Sequence, residues 1–398
     1  MEINNYIILI TLSLIVLASH VFDRISKTLK IPSVLLLLGT GVLLKYLSIY
    51  FHLSVYNLER LVPFFGIVGL IFIVLEGSLD LKINKENLPL IKKSFGSAFF
   101  ILVLSTLSIA MLLTLWLKAG FKACFVNAIP LAVISSAVAI PTVSHLTQAK
   151  KEFITYESIF SDIMGIILFN TALSTTATGF GLLTDFISKL ILIIMISAAL
   201  SFLLVVFISK TKAVAKFYLI LAGLILAYSL GKLLHMSSLL LVLFFGLLLN
   251  NCNIFTANIF HKIIDLSEIN NEINKFKLIV IESTFLIRTF FFVLFGYSID
   301  LFGIFNKQTI ILGAIIVLIL LTIRFLYLRF FIKIHLLPEL FIAPRGLVTI
   351  LLFYSIPAQL MLESFTKAEI LFVVVTTSLL MLFALRIAKN MKKIDVEY

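Results

Sequence analysis

Charge is scarce in this chain. Only 13% of its 398 residues are charged, against 61% apolar. No soluble domain of this length hides so much apolar surface, so a water-soluble enzyme or binding domain is excluded. Cysteine is nearly absent too. Cys124 and Cys252 map to opposite faces of the membrane and cannot pair, which excludes a disulfide framework. The six histidines are scattered, with no H-x-x-x-H pair and no Cys/His cluster, so neither a transition-metal centre nor a cofactor is expected. G-x-S-x-G and P-loop motifs are missing, and with them the grounds for a hydrolase or a nucleotide-driven pump. The chain is not expected to be an enzyme. No loop exceeds about 30 residues, which leaves no room for a soluble regulatory domain. "MEINNY" lacks a basic n-region and no A-x-A site follows, so the first span is not expected to be a cleaved signal.

What is there is a succession of apolar runs, with mean hydropathy +1.16. They predict an all-α polytopic membrane protein with spans near 6–20, 32–50, 61–79, 94–117, 124–146, 155–178, 184–208, 214–232, 237–250, 279–299, 308–331, 341–360 and 368–386, about thirteen helices. Basic residues test this map. Arg24, Lys27 and Lys30 fall in one loop, and Lys82, Lys85, Lys92 and Lys93 in the next but one. Lys150 and Lys151, then Lys210, Lys212 and Lys216, and the tail's Lys389, Lys392 and Lys393 continue the alternation. The rich side is predicted to be cytoplasmic, with the N-terminus outside and the tail inside. This asymmetry accounts for most of the +12 net charge, so no nucleic acid is implied.

Span 3 ends "IVLEGSLDL" (Ile73–Leu81) and span 10 ends "FVLFGYSIDL" (Phe292–Leu301); span 2 opens "PSVLLLLGTGVLL" and span 9 "SSLLLVLFFGLLL". The matches keep their order at an offset of seven spans, and an odd offset inverts the second copy. Inverted repeats over about 1–180 and 212–390, joined by a linker helix at about 184–208, are expected within one transmembrane domain. Such repeats mark secondary transporters. Span 5 contains "VISSAVAIPTV" and span 12 "IAPRGLVTILLFYSIP". Both combine proline with small or hydroxyl residues, which allows a broken helix in each, the alternative being a kinked helix that packs tightly; the position in the repeat favours the break.

Against this apolar background Glu76, Glu157, Asp162, Glu282, Arg288 and Arg324 fall inside predicted spans. A charge at the bilayer centre costs about 2.5–3.5 kcal/mol, so pairing is expected. Counting 1.5 Å per residue, Asp162 and Arg288 lie about 12 and 13 Å from the inner edge, and Arg324 about 10 Å. Asp162 and Arg288 thus share a level, and Glu157 and Arg324 both lie in the inner half. Glu157 and Asp162 point about 140° apart on their helix and do not face one cavity as a simple pair. Ser158 lies one turn below Asp162 and Ser161 one turn above Glu157. A carboxylate with a hydroxyl at i−4 is a fair set of cation ligands. The alternative is that all these charges staple helices together.

"ESIFSD" (Glu157–Asp162) resembles the E-x-x-x-N-D signature of the sodium/proton exchanger (NhaP-like) branch of the monovalent cation/proton antiporters. "FIVLEGSLDL" is similar to that superfamily's third span, Arg324 in "LLTIRFLYLRFF" to the arginine of its eleventh, and "APRGLVTILLFYSIP" to its G-x-R-G-A stretch. Ser161 stands where the signature has Asn, and Ala139 where an acid is expected in span 5; "SSAVAI" is more similar to the potassium-efflux branch. The resemblance implies a dimer whose protomers each have a core domain with two crossed broken helices and a dimerisation domain. It implies exchange of Na⁺, Li⁺ or K⁺ for H⁺ at the aspartate matched by Asp162, with the glutamate matched by Glu157 held by Arg324.

These readings together predict an alternating-access antiporter in the inner (plasma) membrane, exchanging Na⁺ (with Li⁺ or K⁺ as alternatives) for H⁺ electroneutrally. Asp162 would take a proton or a monovalent cation, never both. Ser158, Ser161, Ser135 and Ser136 are expected around it, with Glu157 a permanently charged strut. Arg324, Arg288, Glu76 and Arg345 would be structural or modulatory charges. The expected partners are the ions, membrane lipid and a second copy of the chain. Rival readings are a potassium efflux or channel-like protein of the same superfamily and a non-transporting membrane sensor.

Overall fold

The computed structural model describes residues 5–29, 33–51, 61–81, 88–143, 146–174, 216–233, 238–251, 266–298, 305–332, 337–362 and 365–390, with isolated positions between 191 and 203 and at 303. The linker expected at 184–208 lies almost wholly outside these residues. Among the described residues there is no strand, and the protein is an all-α polytopic membrane protein. Stretches long and apolar enough to cross a membrane are Ser33–Tyr50, Leu88–Leu117, Phe121–Ile140, Asn271–Ser298, Lys307–Ile332 and Lys367–Arg386.

The chain forms two compact units. The first comprises Met1–Gly69, Pro89–Gly165 and Leu286–Tyr398. Its helices are α1 (Asn5–Leu29), α2 (Ser33–Tyr50), the start of α3 (Leu61–Asp80), α4 (Leu88–Leu117), α5 (Phe121–Ala132), α6 (Ser136–Thr142) and most of α7 (Gln148–Ser174). The second unit comprises Leu70–Leu88 and Ile166–Phe285, with α8 (Lys216–Leu233), α9 (Ser238–Asn250) and the first part of α10 (Leu266–Ser298). The last part of α10 returns to the first unit, followed by α11 (Lys307–Tyr327), α12 (Leu347–Tyr354) and α13 (Lys367–Asn390). A π-helical turn, Leu328–Ile332, extends α11.

Three helices begin well before the apolar run that announced them. α7 starts at Gln148 rather than 155, α4 at Leu88 rather than 94, and α10 at Leu266 rather than 279. The added turns hold Lys150, Lys151 and Glu152 in α7 and Glu268, Glu272, Lys275 and Lys277 in α10. Lys, Glu and Gln are good helix formers, so the backbone ladder continues where hydropathy stops.

In the first unit α2 and α10 meet backbone to backbone. A Cβ on Gly41 would overlap the Val293 carbonyl oxygen, and one on Gly296 would lie 3.0 Å from the Leu38 carbonyl carbon. Glycine permits this approach, as is usual between membrane helices. In the second unit α9 packs closely on α3, with Gly246 against the Ser78 side chain. The α3 end is held by Asn250 and Asn251, whose amides donate to the Leu81 carbonyl at 3.1 and 2.9 Å. Lys277 pairs with Asp80 at 2.7 Å.

The discontinuous helices are present. Span 5 is broken at Val133–Ser135, between α5 and α6. Span 12 runs without helix through Ile342–Gly346 before α12 begins. The two breaks cross: the Ser135 amide donates to the Pro344 carbonyl at 2.9 Å. A Cβ on Gly346 would lie 2.7 Å from Ser135 Oγ and 2.7 Å from Val138 Cγ2. Only a residue without a side chain lets the chains pass this closely.

Candidate functional site

A broken helix leaves backbone groups that must find partners away from water. Here most of the partners are side chains or backbone carbonyls distant in sequence. The last carbonyls of α5 are taken by Arg345, whose Nε donates to Leu131 O at 2.8 Å and Nη2 to Ala132 O at 3.3 Å. Its Nη1 also bonds the Ala343 carbonyl, and its own amide donates to Thr377 Oγ1 at 3.1 Å. A guanidinium at a helix C-terminus suits the negative end of the helix dipole. Ile134 N–H donates to Ser161 Oγ at 2.9 Å. Arg345 and Ser161, expected as a modulatory charge and a cation ligand, are therefore both engaged with the break itself.

Asp162 is buried where α7 passes the start of α6. Its Oδ2 accepts from Ser136 Oγ at 2.5 Å and from the Ser136 amide at 3.1 Å. Its Oδ1 is buried without a hydrogen-bond partner, and so is Ser135 Oγ. One carboxylate oxygen is thus fixed and the other is open. Ser158 is buried and donates to the Thr155 carbonyl at 3.1 Å, so it is Ser136, from the crossing helix, that touches Asp162.

Arg288 does not pair with Asp162. It donates from Nη1 to the Ala137 carbonyl at 3.3 Å. The reason lies in Pro141. In a helix the carbonyl of residue 137 accepts from the amide of residue 141, and proline has none. Arg288 occupies the vacancy that Pro141 leaves.

Glu157 and Arg324 form a two-pronged ion pair, Nη1 to Oε1 at 2.9 Å and Nη2 to Oε2 at 2.8 Å. Glu157 is wholly buried and Arg324 is 1% exposed. Ser97 on α4 gives Glu157 Oε1 a further hydrogen bond at 2.5 Å. Arg324 also holds the Glu339 carbonyl through Nε at 3.1 Å and Nη2 at 3.0 Å, and reaches Ile342 O at 3.4 Å. Of the two arginines available by depth, the partner of Glu157 is Arg324. Ser97 and Glu339 carried no sequence signal, one being a serine at the head of an apolar run and the other a residue in a short loop.

The other two acids predicted to lie deep in spans are found elsewhere. Glu76 is half-buried on α3 and Glu282 is exposed on α10, both in the second unit.

Residues 10–387 match the family model of the sodium/hydrogen exchanger, transmembrane region. The chain belongs to the sodium/hydrogen exchanger family. The fold of this exchanger is that of the sodium proton antiporter MjNhaP1 from Methanocaldococcus jannaschii. The structure of that protein at pH 8 aligns with a TM-score of 0.68 at 21% identity, over 96% of this chain and 95% of the other. A second, from an electron microscopy map, gives 0.68 at 21% identity over 99% and 100%. No curated protein matches this exchanger. The family is one of transporters rather than enzymes, and the chain is membrane-embedded.

Proposed function

We propose that this exchanger swaps one monovalent cation, Na⁺ first among candidates, for one proton by alternating access, with Asp162 carrying each in turn. The observation that carries this reading is the half-engaged carboxylate of Asp162, with Oδ2 held by Ser136 and Oδ1 without a partner, while the hydroxyl of Ser135, the residue before Ser136, is also unpartnered. A cation needs several oxygens at once. Asp162 Oδ1 on α7 and the Ser135 and Ser136 hydroxyls at the break are three candidates, and the carbonyls of the break are further ones. A proton needs only the carboxylate. Glu157 is unsuited to exchange, because Arg324 and Ser97 occupy both of its oxygens.

The two inverted repeats, about 1–180 and 212–390, belong to this proposal. In their support, Gly41 of span 2 packs on α10 as Gly246 of span 9 packs on α3, and these partners correspond in the repeat. A homodimer in the plasma membrane with the tail inside, bathed in lipid, completes the reading.

The test is proton movement into proteoliposomes, followed by dequenching of a pH-gradient dye, with Na⁺, Li⁺ and K⁺ added in turn. Collapse of the gradient on adding one of them is expected. Conductance without proton movement would favour the channel-like alternative. No response to any of the three would overturn the proposal.

A further inference from the structure

We propose that Lys150 and Glu339 are positioning residues for cation exchange, an inference that rests on the proposed function. Lys150 Nζ lies 2.7 Å from Glu339 Oε1, with the lysine side chain 11% exposed and the glutamate wholly buried. Lys150 is in the first turn of α7, and Glu339 lies in the turn between α11 and the broken span 12.

Lys150 and Glu157 are seven residues apart, so they lie on nearly the same face of α7, about 10 Å apart along its axis. Each is met by a charge from the α11–α12 region, and the polarity alternates. Lysine on α7 faces Glu339, then glutamate on α7 faces Arg324. Glu339 serves both contacts, since its carboxylate holds Lys150 and its carbonyl accepts twice from Arg324. The result is a closed ring: α7 at 150, Glu339, Arg324, and α7 again at 157.

Such a ring adds little net stability, because a buried ion pair gives back in desolvation much of what it gains. What it fixes is register. Between Lys150 and the polar contacts at Glu157, Ser161 and Asp162, α7 also buries apolar residues such as Phe153, Ile154 and Ile159, and apolar faces discriminate weakly between neighbouring registers. Sliding α7 by two turns would set Lys150 against Arg324. Register and rotation of α7 in turn set where Asp162 meets Ser136 and where Ser161 meets Ile134. A binding constellation works only when held to within about half an ångström. Asp162 lies about 18 Å along α7 from Lys150, so the pair acts through the helix and not on the ion.

The experiment measures the cation dependence of exchange in proteoliposomes for Lys150→Met, Glu339→Gln, the Lys150→Met/Glu339→Gln double variant and the charge swap Lys150→Glu/Glu339→Lys. The single variants are expected to raise KM for the cation by about tenfold, the range in which loss of an outer-shell partner weakens ion binding, with a much smaller change in maximal rate. The double neutral variant strands no charge and folds, yet keeps the raised KM. The charge swap brings KM back toward wild type. Singles that melt at lower temperature with an unchanged KM would mean a purely structural pair and overturn the inference. A double neutral variant with wild-type KM, or a folded charge swap with KM still raised, would overturn it too. A wild type inactive with every cation overturns the proposed function and this inference together; an active wild type with unmoved variants overturns the inference alone.

Discussion

Asp162 is bound on one side only: Ser136 donates twice to Oδ2, at 2.5 and 3.1 Å, and Oδ1 has no hydrogen-bond partner. A carboxylate away from water with an open oxygen is costly unless something arrives to occupy it. The contrast with Glu157, five residues earlier on the same helix, is one of partners. Glu157 has a guanidinium across both oxygens and a serine besides. One acid is fastened and the other is left half open, which suits a division between strut and carrier.

Asp162→Asn is expected to abolish cation-dependent proton movement while leaving the protein folded. The amide oxygen can still accept from Ser136, so the packing around α6 survives. Dequenching in proteoliposomes and a melting curve read the two halves of this expectation. Sustained exchange by the variant would contradict the carrier role.

Ser136→Ala removes the hydroxyl that touches Asp162 and leaves the amide. A hydrogen bond to a charged group is worth about 1.5–3 kcal/mol, and a cation loses a candidate oxygen as well. KM for the cation should rise by about tenfold or more, each 1.4 kcal/mol being tenfold. Ser136→Thr keeps the hydroxyl and should stay near wild type. The check is a cation titration of exchange rate. An unchanged KM in the alanine variant would mean that Ser136 does not contribute to binding.

Arg324→Ala strands the buried Glu157, and breaking such a pair costs about 3–5 kcal/mol. Adding Glu157→Gln removes the stranded charge. The double variant should be less destabilised than the two single losses added, by about 1 kcal/mol or more. Recovery will be incomplete, because Arg324 also ties down the Glu339 and Ile342 carbonyls. Thermal melts of the four proteins give the coupling. Strict additivity would mean that the pair is not energetically joined.

The class of the molecule and its broken helices were legible because they follow from composition and from local chemistry. Scarce charge and long apolar runs read as membrane helices, and proline with hydroxyl residues read as a break. Depth along a helix was legible as well, which put Glu157 and Arg324 within reach. Rotation between helices was not. Asp162 and Arg288 share a level, yet Arg288 turns to Ala137, whose carbonyl Pro141 leaves open. The proline in the sequence thus marked an orphan carbonyl rather than the break, which lies upstream at Val133–Ser135. Ser158 was visible as a neighbour of Asp162 by helical periodicity. Ser136 owes its contact to the crossing of span 5 over α7, which no local pattern encodes.

Exchange is expected to be electroneutral, one cation for one proton. In the first unit the buried acids besides Asp162 are Glu157, held by Arg324 and Ser97, Glu339, paired with Lys150, and Glu369, held by Thr309 and Thr366. A second transported charge per cycle would need a second group that gains and loses a proton. The residue beside Asp162 that could have supplied it is Ser161, whose hydroxyl oxygen accepts from Ile134 N–H. Arg288, Arg324 and Arg345 cannot supply it either, since an arginine keeps its proton near neutral pH. A fixed charge could still contribute by moving across the field, at about 2.3 kcal/mol per charge per 100 mV. Arg288 and Arg345 are bound to carbonyls of span 5, on either side of its break, so under the proposed alternating access each would travel with the site and return with it. Their charge would then be present in both half-cycles and cancel over the whole. The measurement is exchange rate in proteoliposomes under an imposed membrane potential with the pH gradient clamped, together with current on a solid-supported membrane. A rate indifferent to potential and no current beyond a binding transient are expected. A sustained current that reverses with the cation gradient would overturn electroneutrality and point to a second acid, Glu157 or Glu76, as a proton carrier.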